Sequence, residues 1–202
     1  MTKQITLQCN PNNAESCSNQ LANAIDKGTW VQVSPTKSEI QAIPNHLLPH
    51  GSGVVIPSGG STIGLHHFLH PTSHLDQSAI ATSEWLLQEG ITPRECLIFN
   101  PLPLHHVSGL MPWWRSRIWG AKHTWLMPSL MKSPVDLEII CESLFKETTG
   151  PKIISLVPTQ IHRLIWHPAG LRWLQAFDLI WVGGASLSEE LAVKARQEKI
   201  RL

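Results

Sequence analysis

Apolar residues recur at helical spacing between Asn13 and Lys27. Ala14, Cys17, Leu21, Ala24 and Ile25 fall on one face, and Gly28 follows as a stop. Trp30–Val33 alternates as a short strand. Residues 1–12 carry no clear pattern. Residues 34–53, with prolines at 35, 44 and 49, read as a long connection. Val54–Ile56 is a short apolar run, and a second extended piece covers Gly64–Leu69.

After Pro71 the period changes, and helices alternate with strands. Leu75, Ala79 and Leu86, with Ile80 and Leu87, predict a helix face, with Asp76 in its first turn, where its charge suits the dipole. Cys96–Phe99 predicts a buried strand, Ser108–Trp119 a helix stopped by Gly120, and His123–Met127 another strand. Ser133 and Pro134 open a helix as N-cap and first residue. That helix carries Leu137, Ile140, Cys141, Leu144 and Phe145, a stripe expected in the core. Lys152–Val157 predicts a strand, and Thr159 is expected to cap a short helix, Gln160–Trp166. Leu179–Val182 is a strand running into Gly183-Gly184-Ala185, and Ser188 caps a last helix from Glu189 to about Lys199. Ile200-Arg201-Leu202 starts a further extended piece. Short strands alternating with helices predict an α/β fold, a mostly parallel sheet flanked by helices. The expected organisation is an N-terminal helix, short strand and connection over 1–53, then one α/β domain over 54–202.

Composition narrows the class. A 42% hydrophobic content allows a real core, and a net charge of +1 carries no footprint for nucleic acid or an anionic membrane surface. No apolar run is long enough to span a bilayer, and no secretory leader is read at Met1–Gln4. The cysteines at 9, 17, 96 and 141 have no paired spacing and read as reduced thiols, so a cytoplasmic protein is expected. A homo-oligomer is left open. Nine Trp and no Tyr carry no functional reading.

The chemistry concentrates in loops that leave strands. Ser58-Gly59-Gly60-Ser61-Thr62-Ile63-Gly64 combines glycines, which turn backbone N–H groups inward, with hydroxyl donors, and such a concave donor set suits a phosphate chain. It is neither a Walker loop nor a dinucleotide fingerprint, and on its own it also suits a plain hairpin turn. Asn100–Gly109 holds His105 and His106, Val157–Gln160 opens a helix, and Gly183–Ser186 is a patch of small residues. In open parallel sheets ligands sit beyond the carboxyl ends of strands, where these loops would converge.

These stretches together resemble the acyl-adenylate-forming (AMP-binding) superfamily. Ser58–Gly64 resembles its phosphate loop. Pro103-Leu104-His105-His106-Val107-Ser108-Gly109-Leu110 is similar to its acyl-site histidine motif, and Gly183-Gly184-Ala185-Ser186-Leu187 to its adenine-contacting glycines. Ser155–Gln160 with the His106 motif is most similar to the o-succinylbenzoate–CoA ligases of menaquinone and phylloquinone synthesis. The resemblance covers about residues 50–202. It implies an ATP-dependent acid–CoA ligase that works through an acyl-adenylate, with an aryl carboxylic acid, ATP, Mg2+ and CoA as its small-molecule partners.

The resemblance assigns the phosphates to Ser58, Gly59, Gly60, Ser61, Thr62 and Gly64, and adenine to Gly183, Gly184 and Ala185. It places His106, as catalytic residue or gate, with Ser108, Gly109, Thr159 and Gln160 around the acid. The family's lysine after the phosphate loop is replaced here by Gly64-Leu65-His66-His67. Its later magnesium, ribose and lysine motifs would follow Leu202, so the chain is expected to be an N-terminal half, inactive alone. A non-catalytic nucleotide-binding remnant or interaction module of the same fold is the alternative.

Other patterns are read as structural. His66, His70 and His74 would align on a helix, but the stretch reads as extended and then turning at Pro71, and no metal set is assigned. Trp113-Trp114 reads as helix packing, Cys96 and Cys141 as core. Arg115, Arg117 and Gln160 are the candidates to hold a second carboxylate of the acid.

Overall fold

Two sheets organise the chain, and two helices are packed between them. The structure is a computed structural model that describes residues 3–35, 42–58 and 66–202. The first sheet has the order β1-β2-β3-β4, from β1 (Gln4–Gln8), β2 (Trp30–Ser34), β3 (Gly53–Ser58) and β4 (His66–Pro71). β1, β2 and β3 run parallel, while β4 returns antiparallel to β3, with Ser58 facing His66. The helix α1 (Ala14–Asp26) links β1 to β2. The second sheet is wholly parallel in the order β6-β5-β7-β8, from β5 (Leu97–Asn100), β6 (Lys122–Trp125), β7 (Lys152–Leu156) and β8 (Leu179–Val182).

β5, β7 and β8 are mostly apolar runs because helices cover both faces, whereas the edge strand β6 is polar (Lys122-His123-Thr124-Trp125). Ile98, Ile153 and Leu179 pack with Leu86 of α2 (Thr72–Gln88) and Trp119 of α3 (Val107–Trp119). On the opposite face Phe99, Ile154, Leu156 and Ile180 pack against α4 (Pro134–Glu147), α5 (Pro158–Ile165), α6 (Pro168–Gln175) and α7 (Glu189–Gln197). Phe99 is fully buried and meets Phe177 edge-on at 5.1 Å; burying such a ring stabilises the fold by about 1.5–3 kcal/mol. α1, α2 and α3 also cover one face of the first sheet, through Leu21, Val31, Ile56, Leu75, Leu110 and Trp114.

Most expected elements are present, with instructive differences. β1 lies in a stretch without a clear pattern; it is an edge strand of mixed side chains with Ile5 exposed. Because β1 and β2 pair into the sheet that holds β3, the first sheet runs continuously across residues 53 and 54. α6 went unread, although Pro168 stands at its first turn and His167 Nδ1 accepts from Ala169 N–H at 3.2 Å. Thr159 is not a cap: α5 starts at Pro158, its N-cap is Val157, and Gln160 Oε1 accepts from Val157 N–H. Asp76 lies beyond the first turn of α2 and accepts from Trp114 Nε1–H at 2.9 Å. Ile140 of the α4 stripe, and Ile80 and Leu87 of α2, are exposed, while Leu137, Cys141, Leu75, Ala79 and Leu86 are buried. Ser188 does cap α7, accepting from Leu191 N–H, and Gly28 and Gly120 stop α1 and α3 in the left-handed region. Ile180 N–H donates to Arg201 C=O, so 200–202 lies beside β8 without forming a strand.

Candidate functional site

In the second sheet the chain leaves β5 toward β6 on one side, and returns to β7 on the other. The strand order therefore reverses at β5, and the carboxyl ends of β5 and β7 open a crevice. A cavity of about 280 Å³ lies there. Val107, Ser108, Met111 and Arg115 of α3 form one wall, and Leu156, Val157, Trp181 and Gly183-Gly184 the other. Residues that follow three different strands thus line one hollow.

Several site residues proposed from sequence meet here. Ser108 and the glycines 183 and 184 line the cavity directly. Gly184 has φ +83°, in the left-handed region, and the small-residue turn Gly183–Ala185 is exposed beyond β8. Gly109 is buried behind the wall, where a Cβ would stand 2.1 Å from the Pro103 carbonyl oxygen. His106 is the N-cap of α3 and is exposed, one residue from the lining. Gln160 is committed to Val157 N–H. Thr159 lies in a separate open cleft with Ser186 and Ser188. Ser58 ends β3 opposite His66; Gly59, Gly60, Ser61, Thr62 and Gly64 lie outside the described residues.

The two adjacent histidines have different surroundings. The His105 ring lies 4.5 Å from that of His106, and its Nδ1 is buried with no hydrogen-bond partner among the described residues. Burial, with the neighbouring charge of His106, pushes His105 down to about 4. Although the residue is exposed, partial burial of its ring lowers His106 as well. Both are therefore neutral imidazoles at physiological pH.

Two residues were not recognised as a unit from sequence. The Arg115 guanidinium lies over the Trp181 ring, 4.7 Å from its centroid. Arg115 Nε is buried and has no hydrogen-bond partner among the described residues. Burial lowers the Arg115 pKa, yet an arginine keeps its charge at neutral pH. The cavity is thus mostly apolar with one cation stacked on an aromatic wall, an environment that suits an aryl group carrying a carboxylate. Arg115 was one of three candidates for that role. Of the others, Arg117 pairs with Asp26, and Gln160 serves the helix end. Trp181 gave no signal beyond its place in an apolar strand.

Other groups stay in the framework. Trp113 and Trp114 are buried in packing. All four cysteines are free and buried; burial pushes Cys96 up to about 11 and raises Cys9 and Cys141. Among the described residues no helix is long and apolar enough to cross a membrane.

No protein-family model matches the sequence, and neither does any curated protein. Solved structures do share the fold, and they are adenylate-forming acyl-CoA ligases. O-succinylbenzoate coenzyme A synthetase from Bacillus subtilis, in complex with AMP, matches with a TM-score of 0.60 at 16% identity, over 98% of this chain and 47% of its own. A malonyl-CoA ligase bound to methylmalonyl-CoA and AMP matches with a TM-score of 0.69 at 16% identity, over 98% and 50%. The N-terminal domain of FACL13 from Mycobacterium tuberculosis matches at 0.69 and 14% identity, over 98% and 61%. The B. subtilis enzyme has also been solved with ATP and magnesium. The chain spans about half the length of the first of these structures. It has the α/β fold of an N-terminal portion of such an enzyme.

Proposed function

We propose that this chain is the acid- and nucleotide-binding part of an ATP-dependent acid–CoA ligase whose substrate is an aryl carboxylic acid with a second carboxylate, o-succinylbenzoate in the first place. The observation that carries the reading is Arg115: a half-buried cation stacked on Trp181, its buried Nε without a partner among the described residues, in a mainly apolar cavity at the strand ends. A dicarboxylate needs one carboxylate free to react and one held. Arg115 supplies the holding contact, and Trp181 and Met111 the apolar surface for the ring.

The chemistry has two steps. A carboxylate oxygen of the acid attacks the α-phosphorus of ATP, the bond from that phosphorus to the bridging oxygen breaks, and pyrophosphate leaves. The CoA sulfur then attacks the acyl carbon of the mixed anhydride, loses its proton, and AMP departs. This chain's share is positioning and charge stabilisation. The exposed backbone of Gly183-Gly184-Ala185 is open enough for a flat base to lie on it. Ser58, Gly59, Gly60, Ser61, Thr62 and Gly64 are assigned to the β- and γ-phosphates. Ser108 and Gly109 shape the acid pocket, His106 gates it, and Thr159 and Gln160 lie farther out. Magnesium, carried by the nucleotide phosphates, neutralises charge when bound. The cellular setting would be quinone synthesis in the cytoplasm.

The replacement of the family's lysine by His66-His67 favours a second reading, a nucleotide-binding module of this fold without catalysis. ATP–pyrophosphate exchange with o-succinylbenzoate, benzoate and fatty acids separates the two. The expected result is exchange that depends on o-succinylbenzoate when this chain is part of its whole polypeptide, and none from the 202 residues alone. Nucleotide binding without exchange from the whole polypeptide would favour the second reading.

A further inference from the structure

Asn100, the last residue of β5, is completely buried. Burying an amide is costly unless all its groups are bonded, and here they are. Oδ1 accepts from Leu102 N–H at 3.2 Å, and Nδ2 donates to the Gly109 carbonyl at 2.8 Å. These two bonds fix which end of the amide is which. The second Nδ2 hydrogen meets His123 Nε2 at 3.3 Å, so that nitrogen must accept. His123, on β6, therefore carries its proton on Nδ1. One amide thus ties together the end of β5, both ends of the 102–109 turn, and the neighbouring strand. Gly109 is also closely packed: a Cβ there would stand 2.1 Å from the Pro103 carbonyl oxygen and 2.5 Å from that of Leu102. Between those tied ends stand His105 and His106, and Ser108 follows on the cavity wall.

We propose that Asn100, oriented by His123, is a positioning residue for the acid subsite: it sets the 101–109 turn so that His106 and Ser108 face the acid. This rests on the acid reading above. Asn100 touches no substrate; it acts through Gly109 and Leu102. A strand end of this kind could be closed by an apolar side chain if only stability mattered. A fully used amide instead defines a single turn geometry.

The test has a part that needs no variant. In the wild-type chain labelled with 15N-histidine, NMR should find His123 neutral with Nε2 unprotonated; a proton on Nε2 would remove the bond and overturn the proposal. Asn100→Ala should shift the His106 ring resonances. It should also weaken o-succinylbenzoate binding at least tenfold while ATP affinity stays within twofold. His123→Leu, which keeps the Gly109 and Leu102 bonds, should weaken it about threefold. Asn100→Ala combined with His106→Ala should bind no more than about twofold more weakly than His106→Ala alone, because both act through one contact. Multiplying losses, or an unchanged affinity in folded Asn100→Ala, would overturn the positioning role. If the wild type does not bind o-succinylbenzoate, the acid reading fails, and the His106 resonances then decide this proposal alone: unmoved, they overturn it.

Discussion

The guanidinium of Arg115 lies over the indole of Trp181, 4.7 Å from the ring centroid, joining a helix to a strand across the candidate acid cavity. The stack spreads the cation over an aromatic face and leaves its buried Nε unsatisfied among the described residues. Removing the ring should let the arginine wander. Trp181→Leu keeps the apolar volume but removes the π face, with an expected cost of about 1 kcal/mol, or about fivefold in affinity for a dicarboxylate. Calorimetric titration with o-succinylbenzoate checks this; an unchanged affinity would show that the stack does not orient Arg115.

Gly109 offers a prediction about stability. A Cβ there would meet the carbonyl oxygens of Pro103 at 2.1 Å and Leu102 at 2.5 Å, and backbone oxygens have no rotamer to retreat into. Gly109→Ala should cost about 1–3 kcal/mol, lowering the melting temperature by roughly 3–10 °C. A thermal melt within about 1 °C of wild type would contradict the packing described for the start of α3.

Acid should weaken the fold before the carboxylates protonate. Burial pushes both His105 and His123 down to about 4 from an ordinary 6.5. Above about pH 6.5 both rings are neutral, folded or unfolded, and the full stability is present. As pH falls below 6.5 the unfolded chain takes up protons that the folded chain refuses until about pH 4, so stability is lost across that window. Each group adds a slope of up to about 1.4 kcal/mol per pH unit. Urea melts between pH 7 and about 4.5 should show the fall. His105→Gln should flatten part of it, the rest coming from His123 and from His70 and His106, which burial also lowers. A curve level over the window would be inconsistent with neutral, buried imidazoles.

Nucleotide and acid determinants should separate. Gly60→Val adds a branched side chain in the stretch assigned by proposal to the phosphates, where glycine is needed if backbone is to meet them, and is expected to weaken ATP binding with little effect on the acid. His106→Ala should do the reverse. Paired titrations of each variant with ATP and with o-succinylbenzoate check this; equal loss of both ligands in either variant would argue against its assignment.

The helices were legible because their apolar positions repeat at a helical period against one sheet; all five apolar residues read for α1 are buried. β5, β7 and β8 were legible because helices on both faces make them largely apolar runs. β1 was not, since an edge strand with an exposed Ile5 needs no strong pattern. Ile140 and Leu87 misled for the opposite reason: apolar side chains at the margin of a stripe can point outward. The candidate cavity was legible where its lining follows strand ends, as with Ser108 and the Gly183-Gly184 turn. Arg115 was a candidate among three, but its pairing with Trp181, and that of Asn100 with His123, left no mark in the sequence, because each residue belongs to a helix or strand whose local pattern is complete without the contact. Only tertiary structure brings Arg115 of α3 over Trp181 of β8, or Asn100 of β5 to His123 of β6.

The most direct measurement is the affinity of wild type and Arg115→Ala for o-succinylbenzoate and for benzoate, by isothermal titration at constant ionic strength. A charge-assisted contact to the second carboxylate is worth about 2 kcal/mol, so wild type should prefer o-succinylbenzoate by about thirtyfold or more. Arg115→Ala should lose most of that preference while retaining whatever benzoate affinity the wild type has. Equal affinity of the wild type for both acids, or a preference that survives Arg115→Ala, would contradict the assignment of this cavity to an aryl dicarboxylate.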